Sequence, residues 1–278
     1  MVTQRSVFMA SAGLGVALLC AAPSLVAARQ GQRPIQAPSL MQKAPRAVSG
    51  SVTVKSLALE GSRATGPELM MVPPIAPMGR VELLFLLPEQ YRQMLVSPNM
   101  MSYRGFSRDV PLLGAKVLQS NTHADAGTPA TNFVDTQRVV AARLVFGILG
   151  DAGGIMHVTA TPAGPGTWHL VGANDFDCLI DLDRATGVPL RVRYTDLVGF
   201  LPPFEPAEKQ WRSDPPERAE VTITFTDRRL IDGVQLPFRV TTTARSLSSG
   251  RQNMGEDVRF EHVRVNPPLI PADFSRVQ

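Results

Sequence analysis

The chain is short of the residues that build most familiar active sites. Its 278 residues include two cysteines, four histidines, two tryptophans and three tyrosines. Cys20 lies in an N-terminal apolar segment, so a processed chain keeps only Cys178 and can form no internal disulfide. Cys178 has apolar neighbours at alternate positions, the setting of a small buried hydrophobe. An exported protein of this kind must hold by its core, and removing 28 of 278 residues leaves 250, enough to build one. Lysine is also scarce: beyond the N-terminal segment only Lys43, Lys55, Lys116 and Lys209 occur. No basic run carries interleaved aromatics, which argues against nucleic acid as a partner.

Motifs for chemistry are missing as well. The stretch at 105–109, "GFSRD", departs from a nucleophile elbow at Asp109 and lacks the flanking strand and helix. No glycine-rich phosphate loop occurs, and His123, His157, His169 and His262 have no Cys or Glu at metal-ligand spacing. His157 and His169 fall on neighbouring expected strands, so a two-histidine site is open to them. The expectation is a protein without catalysis, cofactor or metal; a hydrolase would need a site assembled from distant segments.

What is present begins with an address. Arg5, an apolar run at 7–19 and the small residues Ala27 and Ala28 have the order of a secretory signal peptide cleaved near Ala28. The run is too short for a good membrane span. Leu19 stands before Cys20 where a lipoprotein signal wants a small residue. The mature chain is expected to be periplasmic, with 27 basic and 24 acidic residues, because the signal contributes Arg5 and no acid.

Residues 29–50 are rich in Gln, Pro and Ala and are expected to be a flexible lead-in. Residues 51–278 then make a single domain. Residues 51–60 and 80–87 have strand patterns, and the second is apolar on both faces. "NFVDTQRVVAARLVFGILG" predicts a helix over 132–150, with Asn132 as N-cap, Gly150 as left-handed C-cap and a stripe of Val140, Leu144 and Ile148. Arg138 and Arg143 give it a polar flank. Residues 100–131 and 201–218 are expected to be irregular. After Gly154, short strands alternate with Pro-Gly, Thr-Gly, Asp-Gly and Ser-Gly turns. The fold class is α+β, mainly β: a curved antiparallel sheet with one attached helix.

Two clusters invite a ligand. "DFDCLIDLDRATGVPLRVRY" places Asp175, Asp177, Asp181 and Asp183 within nine residues. An EF-hand counted from Asp175 would need Gly and Glu where Ile180 and Thr186 stand. Alternate carboxylates on one strand lie roughly 6.6 Å apart and cannot wrap one ion. A hairpin with a three-residue loop at 185–187 instead pairs Leu182 with Leu190, Ile180 with Val192 and Cys178 with Tyr194. It sets Asp181 opposite Arg191 on the wet face. The second cluster is Met70, Met71, Met78, Met94, Met100 and Met101. Clustered thioethers can fill a core, form an adaptable apolar surface or bind Cu(I).

Three stretches, "GRVELLFLLPEQYRQMLVSP", "VTITFTDRRLIDGVQLPFRVTTT" and "VRFEHVRVNPPLIPADF", together with "LIDLDRATGVPLRVRYTD", resemble strands of the LolA-like superfamily of periplasmic lipoprotein carriers. The resemblance covers about 51–278. It implies an unclosed half β-barrel with an apolar concave face, a lid helix around 132–150 and a lipid or acylated protein as ligand. The implied cavity residues are Leu83, Phe85, Met94, Trp168, Ile180 and Phe225, under a lid of Val140, Leu144 and Ile148. The carriers place an Arg, which helps hold the lid, where this chain has Leu87. The alternative is an envelope sensor or interaction module that meets a partner chain through its apolar face.

Overall fold

The computed structural model describes residues 40–65, 79–118, 122–124, 129–200 and 215–275. The expected signal segment, Met70, Met71, Met78 and most of the 201–218 stretch lie outside the described residues. Thirteen strands form a single antiparallel sheet. In chain order these are β1 Ser56–Thr65, β2 Gly79–Leu86, β3 Gln90–Val96, β4 Met100–Ser107, β5 Val110–Val117, β6 Thr122–Ala124, β7 Val158–Gly164, β8 Thr167–Gly172, β9 Asp177–Leu182, β10 Pro189–Val198, β11 Glu217–Ile231, β12 Val234–Ser246 and β13 Gln252–Val265. Helix α1 spans Leu40–Ser49 and helix α2 spans Phe133–Leu149.

The strand order is β6-β5-β4-β3-β2-β1-β13-β12-β11-β10-β9-β8-β7. Two meanders thus meet at a seam where the first strand pairs with the last, Leu57 opposite Val265. The sheet is unclosed, with β6 and β7 as its two edges. Helix α2 is the connection between those edges, so the chain crosses the open side of the sheet as helix. α2 touches both β4 and β10, which are seven strand positions apart. In a flat sheet that separation would be about 34 Å, more than the helix length of about 25 Å. The sheet therefore curls around α2.

Each face of the sheet buries a different cluster, and strand alternation decides which residue goes where. Leu83, Phe85, Tyr91, Phe106, Ile180, Phe225 and Val240 pack with α2 in the main core. Ala58, Leu84, Tyr103, Leu112 and Phe274 form a second cluster on the outer face. That face is covered by the C-terminal segment, whose 3-10 turn Pro271–Phe274 packs on β3 and β4. Asn266 secures the segment by accepting from the Lys55 amide at 2.7 Å and donating to the Thr53 carbonyl at 2.9 Å.

This two-sided burial corrects the expected irregularity of 100–131, most of which is β4, β5 and β6. In β4, Phe106 faces the helix and Tyr103 faces the C-terminal turn. With Gly105 and Arg104 between them, no simple apolar alternation is left to read. The lead-in is corrected too, because 40–49 is helical. Leu40, Ala44 and Val48 form a stripe at four-residue spacing, and Ala44 and Val48 are fully buried against α2, β9 and β12.

α2 begins and ends close to its expected limits. Gly150 takes the left-handed C-cap at φ 84° and donates to the Phe146 carbonyl, whereas the Asn132 side chain makes no cap bond. The buried face differs from the expected one. Ala141, Ala142, Val145, Phe146, Ile148 and Leu149 are all buried, while Val140 and Leu144 are only half-buried. A helix enclosed by a curled sheet is apolar nearly all round, so a single stripe misidentifies its contact face. Gly147 sits directly against Phe225; a Cβ there would lie 2.0 Å from the ring. Arg228 closes the C-terminal end, donating to the carbonyls of Gly147 at 2.6 Å and Ile148 at 3.2 Å, and also to those of Pro189 and Gln235. Those orphan carbonyls of the last turn would otherwise be buried unpaired.

The β9–β10 hairpin keeps the expected pairs Ile180 with Val192 and Asp181 with Arg191, but Leu182 pairs with Pro189. Leu190 is extruded as a bulge. The Asp183 amide bonds the Val188 carbonyl, which closes a four-residue loop, and the bulge then restores register on the core face. Gly187, at φ 82°, supplies the left-handed position in that loop.

Candidate functional site

Asp181 is buried rather than wet. Its carboxylate accepts from Arg193 at 3.1 and 3.2 Å and from the Thr167 hydroxyl at 2.8 Å, with Arg191 3.2 Å away. Burial alone would raise its pKa, but the Arg193 guanidinium, Thr167 and Arg191 together hold the carboxyl below its ordinary value. Asp183 caps the turn by accepting from the amides of Ala185 and Thr186. Asp177 pairs with His169 at 2.8 Å. Asp177, Asp181 and Asp183 therefore have separate structural partners, and no group of three metal-ligating side chains occurs among the described residues. His157 is not beside His169, whose strand partner is Thr161, so the two do not converge.

The expected cavity residues do not form one wall. Leu83, Phe85, Ile180 and Phe225 are buried in the main core, and Trp168 packs against it. Met94 lies on the opposite face, packed on the outer cluster with Leu86 and Leu269. Met101 shares that outer face by alternation, whereas Met100 is 44% exposed. None of the six lines the two cavities that adjoin α2. Leu87, in place of the carriers' Arg, packs on the main core, and a Cβ added at Gly153 would lie 2.9 Å from its Cδ1.

Open space lies elsewhere, on either side of Arg143. The inner cleft, about 390 Å³, runs between α2 and the helix-bearing face of the sheet. Val140 and Leu144 line it from the helix, Ile223 and Tyr194 from the sheet, with Gln93, Arg104 and Glu256 at its polar part. Two of the three expected lid residues, Val140 and Leu144, thus meet a cavity, whereas Ile148 is fully buried in packing. The outer cavity, about 500 Å³, opens where β9 and β10 part. Their last paired residues are Leu179 and Arg193, but β10 continues beside β11 to Val198. Asp177, Cys178, Tyr194 and Arg218 border this opening.

Arg143 and Tyr194 line both spaces and divide them. The guanidinium stacks 3.8 Å from the centre of the Tyr194 ring, and the Phe176 ring is 5.9 Å away. Burial pushes the Tyr194 hydroxyl above its ordinary pKa and pushes the Cys178 thiol up to about 12, although Arg143 opposes both shifts. Cys178 is thus an inert thiol rather than a nucleophile. A third cavity, about 610 Å³, lies by β12 and β13, but its Arg229 and Arg264 are already paired with Asp227 and Glu60.

Sequence reasoning missed Arg143 as a site residue, along with Tyr194 and Arg104. The available signal was a lone cation inside the apolar run 139–149, which becomes informative once the helix is known to be buried all round.

No family model matches the chain, and no curated protein matches it. Among solved structures, it is similar to a DUF1329 family protein from Desulfovibrio piger at 10% identity and a TM-score of 0.45, covering 85% of this chain and 94% of that one. It is also similar to a LolA superfamily protein from Nitrosomonas europaea at 12% identity and a TM-score of 0.38, covering 85% and 96%. Function is therefore argued from this chain's own residues.

Proposed function

We propose that the protein is an exported, periplasmic binding protein that shelters an acyl chain or lipid without transforming it. The observation that supports this reading is the inner cleft. Val140 and Leu144 remain half-buried beside it although every neighbouring position of the helix from 141 to 149 is enclosed. Ile223 and the Tyr194 ring complete an apolar wall. A volume of about 390 Å³ falls within the range of small-molecule sites, roughly 300–1,000 Å³. The occupied site is smaller than a trough under a detached lid would be, because the C-terminal half of α2 is packed on the sheet through Gly147 and Phe225.

Titration with a fluorescent long-chain fatty acid tests the reading. Leu144→Glu places a charge on the apolar wall at a half-buried position on the margin of the main core. Its expected effect is a loss of at least about tenfold in affinity, the equivalent of about 1.4 kcal/mol, in a variant shown by circular dichroism to remain folded at the assay temperature. Saturable binding that is identical in the variant would place the ligand outside the cleft, and absence of binding in the unaltered protein would contradict the reading.

A further inference from the structure

Arginine is common in this chain, and most of the buried or half-buried guanidiniums are answered. Arg63 meets Glu256 at 2.7 Å, Arg92 meets Glu82 at 2.7 Å, and Arg193 meets Asp181 at 3.1 Å. Arg228 has no carboxylate but donates to four carbonyls at 2.6–3.2 Å. Arg143 is different. It is 8% exposed, yet its one hydrogen bond among the described residues is a 3.5 Å contact to the Asp177 carbonyl, at the limit of what counts as a bond. Its Nε is buried without a partner, as are those of Arg63, Arg92 and Arg228, so what sets Arg143 apart is the lack of a close acceptor at its terminal nitrogens among the described residues. Stacking on Tyr194 offsets part of the cost of enclosing the charge, but it uses the ring face and supplies no acceptor for the donors along the guanidinium edge.

The surroundings of the inner cleft favour an anion. Arg104 lines the same space, and its side-chain bond among the described residues goes to neutral Gln93 at 2.7 Å. The carboxylate there, Glu256, is already neutralised by Arg63. At the outer cavity Asp175, Asp177 and Glu220 offset Arg143, Arg193 and Arg218, whereas at the inner cleft Arg104 and Arg143 face only Glu256, so an anion is better placed on the inner side. A planar guanidinium with free edge donors matches the two oxygens of a carboxylate, or of a phosphate ester, in bidentate geometry.

We infer that Arg143, assisted by Arg104, anchors the anionic head group of an amphiphile whose apolar part lies against Val140, Leu144 and Ile223. This rests on the acyl-binding reading of the same cleft and specifies its ligand as acidic. The missing counter-charge of Arg143 is then supplied by the ligand, as expected of a buried cation that is otherwise costly to enclose. Arg143 acts as a binding residue in direct contact with the head group, while Tyr194 positions it by stacking.

The test compares ligands of equal chain length that differ at the head. Dodecanoate, dodecyl phosphate and uncharged dodecanol are titrated into the unaltered protein, Arg143→Gln and Arg104→Gln, with inorganic phosphate and acetate as headless controls. The expected result is that both charged amphiphiles bind at least about tenfold more tightly than dodecanol. Arg143→Gln should abolish that preference, so that dodecanoate and dodecyl phosphate bind no more tightly than dodecanol to the same variant, and Arg104→Gln should reduce it. If all three amphiphiles bind alike, the anchor is overturned and the acyl reading survives. If none binds, both fall. If phosphate or acetate alone binds as tightly as its long-chain counterpart, the site takes free anions and the amphiphile is overturned. Arg104 is exposed, so its variant separates loss of the site from loss of folding should Arg143→Gln melt early.

Discussion

Single residues in this protein show how much the setting of a charge determines its role. Asp181, Arg228 and Arg143 are all enclosed, and each is resolved differently: by arginine partners, by backbone carbonyls and by a stacked ring with open donors. Asp181 has a consequence for acid stability. Its carboxyl is more acidic folded than unfolded, so its contribution is complete above the unfolded value of about 3.9 and is lost as pH falls through the lower folded value. Asp181→Asn is therefore expected to be clearly less stable than the unaltered protein at pH 7, with the difference shrinking below about pH 4. Urea melts at a series of pH values would show this; a gap that stays constant down to the lowest accessible pH would contradict it. The pairing of Asp181 with Arg191 could be read from turn chemistry and alternation, which depend on neighbours in sequence. The isolation of Arg143 could not, because it depends on the carboxylates brought by β9 and β13 being paired elsewhere, Asp181 with Arg193 and Glu256 with Arg63.

At the scale of elements, α2 determines what space is left for a ligand. Its limits followed from Gly150 and the apolar periodicity, and the hairpins of the C-terminal half followed from their turn residues. Ile231 and Val234, for instance, flank the Asp-Gly turn of β11 and β12. What the sequence could not show was which sides of the helix would be covered, since that depends on the curl of thirteen strands. α1 escaped notice because its three-residue stripe contains Pro45 and gains its stability from packing on α2. Met94 was assigned to the wrong face for a related reason, because β3 buries one side under α2 and the other under the C-terminal turn. The contact of Gly147 with Phe225 has a direct test. Gly147→Ala is expected to destabilise by about 1–3 kcal/mol through overpacking, even though alanine favours helix. Combining it with Phe225→Leu should cost less than the sum of the two single changes, because the smaller side chain makes room. Strict additivity in a denaturation cycle would mean that the helix does not bear on the sheet at this point.

For the whole molecule, the topology and the candidate site have a common origin. Two meanders joined at the β1–β13 seam leave two free edges, and the chain between those edges is the helix that fills the enclosed trough. The C-terminal end of that helix is fixed by Gly147, Arg228 and α1, while its middle presents Val140, Arg143 and Leu144 to a cleft. Curvature, a core and a solvent-accessible apolar pocket thus arise from the same arrangement, and the family resemblance in the strand motifs anticipated the sheet better than it anticipated the cavity. The central claim is that the cleft holds an acidic amphiphile in the exported protein. Its most direct test is native mass spectrometry of the full chain, expressed in bacteria with residues 1–28 included and purified without detergent, followed by organic extraction. The account predicts one extractable acyl compound with an acidic head per chain, lost in Leu144→Glu. A bare polypeptide mass in that preparation, unchanged after long-chain carboxylates are added, would contradict it.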